Sequence, residues 1–167
     1  MRTRDTLIAL ATALLPMVVP AAELPDLVKA GEHAAALEAI RSGANVNAVQ
    51  ADGTSSLLWS VYRIDRDVAQ ALLDRGANPN GRNTLGTTPL CEAVTIADAK
   101  LVAMLLKAVA DPNLGNDDGQ TPLMIAARNG SLPLVQMLVK SGARVNERER
   151  YRGQTALMWA VAGSSVE

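Results

Sequence analysis

The chain has 167 residues, enough for one domain. Its apolar content is 49%, yet aromatic residues make up only 2% and Phe is absent; this argues for a thin core of Ala, Leu, Val and Met rather than one large core. A formal net charge of −1 gives no electrostatic basis for binding nucleic acid or an anionic membrane surface.

The first element is Met1-Arg2-Thr3-Arg4, a short basic start, followed by the apolar run Leu7 to Leu15. Nine residues are too few to span a bilayer, which takes about 20. Pro16 breaks the run, and Val19-Pro20-Ala21 offers small residues for cleavage after Ala21. This is the pattern of a secretory signal peptide over residues 1–21, and it predicts a periplasmic or secreted protein with no membrane insertion after cleavage. Cys91 is the single cysteine, so no internal disulfide can form in an oxidising compartment and the fold must hold by packing. Its place in a first helix predicts a small buried hydrophobe, with a reactive thiol as the alternative.

From residue 24 onward the chain repeats itself. Gly53, Gly86, Gly119 and Gly153 each open a similar phrase, at spacings of 33, 33 and 34 residues. A leucine follows four positions later in every case: Leu57, Leu90, Leu123 and Leu157. Closing phrases recur in the same register, at Gly43-Ala44-Asn45-Val46-Asn47, Gly76-Ala77-Asn78-Pro79-Asn80, Val109-Ala110-Asp111-Pro112-Asn113 and Gly142-Ala143-Arg144-Val145-Asn146. A period in this range signals a stack of supersecondary units. The spacing divides the chain into a degenerate unit over 24–51, repeats over about 52–84, 85–117 and 118–151, and a partial repeat over 152–167.

One unit reads as two helices and a turn. Thr121 stands where an N-cap belongs and Pro122 at the first helical position, where its missing N–H costs nothing. Leu123, Ala126 and Ala127 mark the buried side of a short helix. Ser131 is placed to cap a second helix, whose Leu134, Val135, Leu138 and Val139 share one apolar face. Gly142 ends that helix in a left-handed C-cap.

The phrase Thr-Pro-Leu-x-x-Ala-Ala, the 33-residue period and the Gly-Ala-Asn closure resemble the ankyrin repeat, specifically that of exported bacterial proteins. Thr88-Pro89-Leu90 and Thr121-Pro122-Leu123 match best, while Thr155-Ala156-Leu157 and Ser55-Ser56-Leu57 match in part. The resemblance covers the chain from about Leu24 to its last residue. It implies an all-α solenoid of stacked helix-turn-helix units with projecting turns. Four departures carry expectations of their own. The histidine usual after the leucine is replaced by Leu58, Cys91, Met124 and Met158, which predicts turns less firmly tied. Ile64 and Ala97 replace an inter-helix glycine, predicting reshaped turns, and Val109 replaces a C-cap glycine, where a left-handed conformation costs about 1–2 kcal/mol. The fifth unit reaches Glu167 before any second helix. Leu157, Met158, Trp159 and Val161 are therefore expected to lack cover, as in a truncated piece of a longer chain.

With helices about 8–10 Å apart, the stack presents a surface roughly 40 Å long. The resemblance implies that a partner protein binds its concave face through turn tips and first helices. Carried over by position, the contact residues are Tyr62, Arg63, Thr84, Thr95, Asp117, Asp118, Gln120, Arg128, Asn129, Tyr151 and Arg152. Tyr and Arg are the types that anchor interfaces most often, which favours Tyr62, Arg63, Arg128, Tyr151 and Arg152. Trp59 and Trp159, six positions after their glycines, read as inter-layer core. The mixed-charge run Glu147 to Arg152 reads as a solvated loop or a protruding finger. His33, the one histidine, cannot build a usual zinc site and reads as a turn residue.

No cofactor, metal or catalytic group is implied. Nucleophilic catalysis needs a nucleophile and base in contact, whereas His33 and Cys91 fall two layers apart. The chain reads as a monomeric, non-enzymatic protein-protein interaction module. The alternative is a non-catalytic repeat arm of a larger enzyme or stress-response protein truncated at residue 167.

Overall fold

The computed structural model describes residues 23–163. The segment 1–21, read from the sequence as a signal peptide, lies outside the described residues, as do residues 164–167. The described residues form four helix pairs and a ninth helix: α1 (Leu24–Ala30) with α2 (His33–Arg41), α3 (Ser56–Tyr62) with α4 (Arg66–Asp74), α5 (Pro89–Thr95) with α6 (Ala99–Lys107), α7 (Pro122–Arg128) with α8 (Leu132–Lys140), and α9 (Ala156–Gly163). The fold is an all-α solenoid. An isolated antiparallel bridge joins Val49 to Ser55 in the first projecting turn. Among the described residues, no helix is long and apolar enough to cross a membrane.

Helices of seven and nine residues are too short to persist alone, so their ends and their packing must hold them. The first helices of the second, third and fourth pairs start at hydroxyl caps: Ser55, Thr88 and Thr121 accept from the backbone N–H of Leu58, Cys91 and Met124 at 3.1, 3.1 and 3.3 Å. Asp65 and Asp98 cap the second helices of the middle units through the N–H groups of Val68 and Leu101. Ser131 occupies the N-cap position of α8, but its side chain makes no capping bond, contrary to the sequence expectation.

Burial follows the register. Leu57, Leu90 and Leu123 are buried on the first helices, Leu72, Leu105 and Leu138 on the second, and Ala77, Ala110 and Ala143 after the closing turns. The first helices form one row in which α3 packs on α1, α5 on α3, α7 on α5 and α9 on α7. Small residues sit where the layers meet most closely; Ser60 takes the position of Ala93 and Ala126, and its hydroxyl donates to the Leu57 carbonyl at 2.7 Å. Cys91 belongs to this core. Burial pushes its thiol pKa up, so the small-hydrophobe reading fits and the reactive-thiol alternative finds no support.

The fourth leucine of the series behaves differently. Leu157 occupies the matching helical position but is 74% exposed, and Met158 and Val161 are exposed beside it. Trp159 departs from that expected loss of cover: packed on α7, it is only 9% exposed. An apolar groove of about 360 Å³ runs between α7, α8 and α9, lined by Leu123, Leu132, Val139 and Leu157.

One further expectation is corrected at the turns. Ile64 and Ala97 do not reshape the inter-helix turns; they take the left-handed conformation at φ 58° and 57°. Their backbone N–H groups bond back to Val61 and Val94 at 2.9 and 3.1 Å, as Gly130 bonds to Ala127 at 3.1 Å. Val109 likewise sits at φ 65° and closes α6 by donating to the Leu106 carbonyl. Packing of the flanking helices therefore imposes the glycine geometry on residues that disfavour it.

A polar ladder runs along the second-helix side. Asn47 donates to the Gly76 carbonyl and accepts from the Asn78 N–H, at 3.2 and 2.8 Å. Asn80 does the same with Val109 and Asp111, and Asn113 with Gly142 and Arg144. Each asparagine closes one unit and grips the next.

Two stability effects follow. Val109 is 80% exposed, so Val109→Gly removes αL strain at little cost in packing and should stabilise by about 1 kcal/mol, seen as a higher urea midpoint. Asn80→Ala breaks two inter-layer hydrogen bonds and should destabilise by about 1–2 kcal/mol in the same measurement.

Candidate partner-binding surface

The projecting turns are built around side chains that clasp backbone N–H groups. Asn83 Oδ1 accepts from Leu85 and Thr87 at 3.1 and 2.9 Å, and Asn116 Oδ1 from Asp118 and Gln120 at 3.1 and 3.0 Å. Glu149 takes the same place in the last turn, accepting from Tyr151, Arg152 and Gln154 at 2.6, 2.8 and 2.9 Å. The Gln154 N–H, opposed by desolvation and joined by the other two, holds the Glu149 carboxyl below its ordinary range. The charge run is thus no plain solvated loop, because Glu149 is buried within it.

Neighbouring tips are also joined. The Thr84 N–H donates to the Asp52 carbonyl and the Arg150 N–H to the Asp118 carbonyl, each at 2.8 Å. Arg82 donates to the Gly115 carbonyl and pairs with Asp117 Oδ1 at 2.9 Å. At Gly86, φ is 71° and an added Cβ would lie 2.6 Å from the Asp117 nitrogen, so the approach itself requires glycine. The turns are therefore tied without the family's histidine, contrary to the looser turns expected from its absence.

The structure places the carried-over residues in two clusters and a stretch between them. Tyr62 is exposed near the N-terminal end, its ring edge-on to Trp59 at 5.6 Å, beside a cavity of about 340 Å³ lined also by Asp52, Leu85 and Glu92. Burial pushes the Glu92 carboxyl up. Near the other end Asp118, Gln120, Tyr151 and Arg152 line a cavity of about 330 Å³, and the Arg128 guanidinium lies 5.0 Å from the Trp159 ring centre. Tyr151 is 88% exposed at the finger's tip, while Gln120 is half-buried.

Thr84, Thr95 and Asp117 lie between the clusters. The Thr95 hydroxyl is turned back to the Cys91 carbonyl at 2.8 Å, and Asp117 is engaged by Arg82. Asn129 is the C-cap of α7 and exposed. Arg63 is exposed but reaches back a layer, donating to the Lys29 carbonyl at 3.0 Å, so it ties α3 to α1. Trp59 is the main revision to the sequence reading: it is half-buried at the rim of a cavity rather than sealed between layers, whereas Trp159 is buried as expected. Recurrence of the two tryptophans at one repeat position was the available signal.

His33 is the first residue of α2 rather than a turn residue, and its Nδ1 lies 2.8 Å from Asp65 Oδ2. The hydrogen bond and charge of Asp65 raise its pKa above 6.5. The raised folded pKa makes this pair stabilising below about pH 6.5, and the contribution fades as pH climbs through the folded value. A proton NMR titration should give a His33 pKa above 6.5 that falls back toward that value in Asp65→Asn; an identical pKa in both proteins contradicts the pairing.

No curated protein matches the chain. Residues 90–167, just under half of it, match the family model for ankyrin repeats in three copies. Helix pairs of one register extend from that segment to Leu24, and the chain folds as an ankyrin-repeat solenoid.

Proposed function

We propose that the protein is a non-catalytic binding module that holds a partner polypeptide along its row of turn tips and first helices. Ankyrin repeats generally serve protein-protein interaction, and the turns supply the observation that carries the reading here. Asn83, Asn116 and Glu149 lock their own turns, and the tips are bonded to one another, so the surface is formed before any partner arrives. Preorganisation lowers the ordering entropy lost on binding. The locked tips carry Tyr151 and Arg152, and first helix α3 carries Tyr62, all in exposed positions and of the residue types best suited to anchor an interface.

Recognition rather than catalysis fits the disposition of reactive groups. His33 is spent on Asp65, and Cys91 is buried two units away. The reading includes export to the periplasm or beyond as a monomer, on the strength of the basic start, apolar run and small-residue cleavage motif in residues 1–21.

The test is a triple variant, Tyr62→Ala with Tyr151→Ala and Arg152→Ala, used as bait in envelope extract. Capture of the parent's partner should fall at least tenfold while the thermal unfolding midpoint stays unchanged. Recovery of the same partner at the same yield contradicts the reading.

A further inference from the structure

Trp59 and Trp159 stand six residues after their glycines, and each carries a cation from the preceding unit over its ring: Lys29 Nζ at 5.1 Å and Arg128 Cζ at 5.0 Å. Lys29 and Arg128 themselves occupy one repeat position, two residues before Gly31 and Gly130. The two indoles are therefore copies of one arrangement, and they differ in what meets the ring nitrogen.

At Trp59 the site is filled from within. The side-chain carboxamide of Gln50 accepts from Trp59 Nε1 at 2.8 Å and donates through its own NH2 to Asp26 Oδ1 at 2.5 Å. A primary carboxamide thus bridges an indole N–H and a carboxylate. At Trp159 the residue in Gln50's place is Glu149: its N–H bonds to the Gln154 carbonyl as that of Gln50 bonds to Thr54. The Glu149 oxygens are occupied by the N–H groups of Tyr151, Arg152 and Gln154. Trp159 Nε1 is left buried with no acceptor among the described residues, a costly state for an indole N–H.

Trp159 lines the cavity of about 330 Å³ at the last turn, together with Asp118. The residue in Asp26's place is Ile125, so that acceptor is missing as well; Asp118, an exposed carboxylate lining the same cavity, is the group available to a ligand NH2. The cavity sets the carboxylates of Asp118 and Glu149 against the single guanidinium of Arg152, and the net negative charge disfavours an anionic ligand. A ligand with both a carbonyl and an NH2 meets both groups at once.

We propose that this cavity is a subsite for a primary carboxamide, the side chain of a glutamine or asparagine in a partner polypeptide, held between Trp159 Nε1 and Asp118. The proposal rests on the interaction reading above and assigns that surface one recognition element.

The test is a titration of the protein with acetyl-Ala-Gln-Ala-N-methylamide, followed by the two indole 1H–15N resonances, with Trp159→Phe identifying its signal. The Trp159 resonance should shift saturably at millimolar peptide while that of Trp59 stays still. The Leu and Glu counterparts of the peptide should leave both unmoved. Asp118→Asn should weaken the response at least threefold. Gln50→Ala, which empties the other copy, should make the Trp59 resonance respond as well. A Trp159 signal that ignores the Gln peptide, or answers the Leu peptide equally, overturns the proposal, as does an Asp118→Asn titration identical to the parent's. Failure of the interaction reading looks different: the bait captures nothing, and the titration still decides the subsite by itself. Should the bait capture a partner while the Trp159 resonance stays still, the subsite alone is wrong.

Discussion

One side-chain position connects the layers with a direction. Asn47, Asn80 and Asn113 each donate to a carbonyl and accept from an N–H of the following unit. Apolar contacts between layers supply most of the attraction but are non-directional, and flat faces rich in Ala and Leu could slide past one another. A carboxamide has one donor end and one acceptor end in a fixed plane, so meeting both groups sets the offset of each layer on the last. The straight rows of buried leucines, and the linked turn tips on the opposite edge, depend on that offset being constant.

The same economy appears at the tips. Turn residues that could have been merely hydrophilic are instead folded inward, and Glu149 shows how far this goes: a charged side chain inside a run of charges is buried because three N–H groups receive it. Its carboxylate replaces the amide oxygens of Asn83 and Asn116, and the extra acceptor capacity matches a turn one residue longer. What remains outward is a small set of aromatic and cationic groups on a frame that does not need to rearrange.

Much of the fold was legible because period and chemistry agreed. Glycine, leucine and closing asparagine return at 33 residues, and hydroxyl-proline pairs mark helix starts by a local mechanism that tertiary structure rarely overrides. The misreadings share a cause. Ile64 and Ala97 were expected to reshape their turns because local preference disfavours positive φ, yet the surrounding helices hold them there. Looser turns were expected from the missing histidine, because the Asn83, Asn116 and Glu149 clasps have no fixed motif. Arg63 lies at a contact position by register, but whether a long side chain points outward or back to a Lys29 carbonyl is set by what lies one layer away. The indole sites were hidden for the same reason, since an orphaned N–H is visible only once its surroundings are known.

The three left-handed residues without glycine lie in the second and third units, while the first and fourth pairs turn at Gly31, Gly43, Gly130 and Gly142. In a linear array the end units ordinarily open first, because each has one neighbour instead of two. Here the second and third pairs bear the conformational penalty, while the first pair, packed on one neighbour among the described residues, escapes it. At that pair the two effects oppose each other, so it is biased against opening ahead of the interior of the rod.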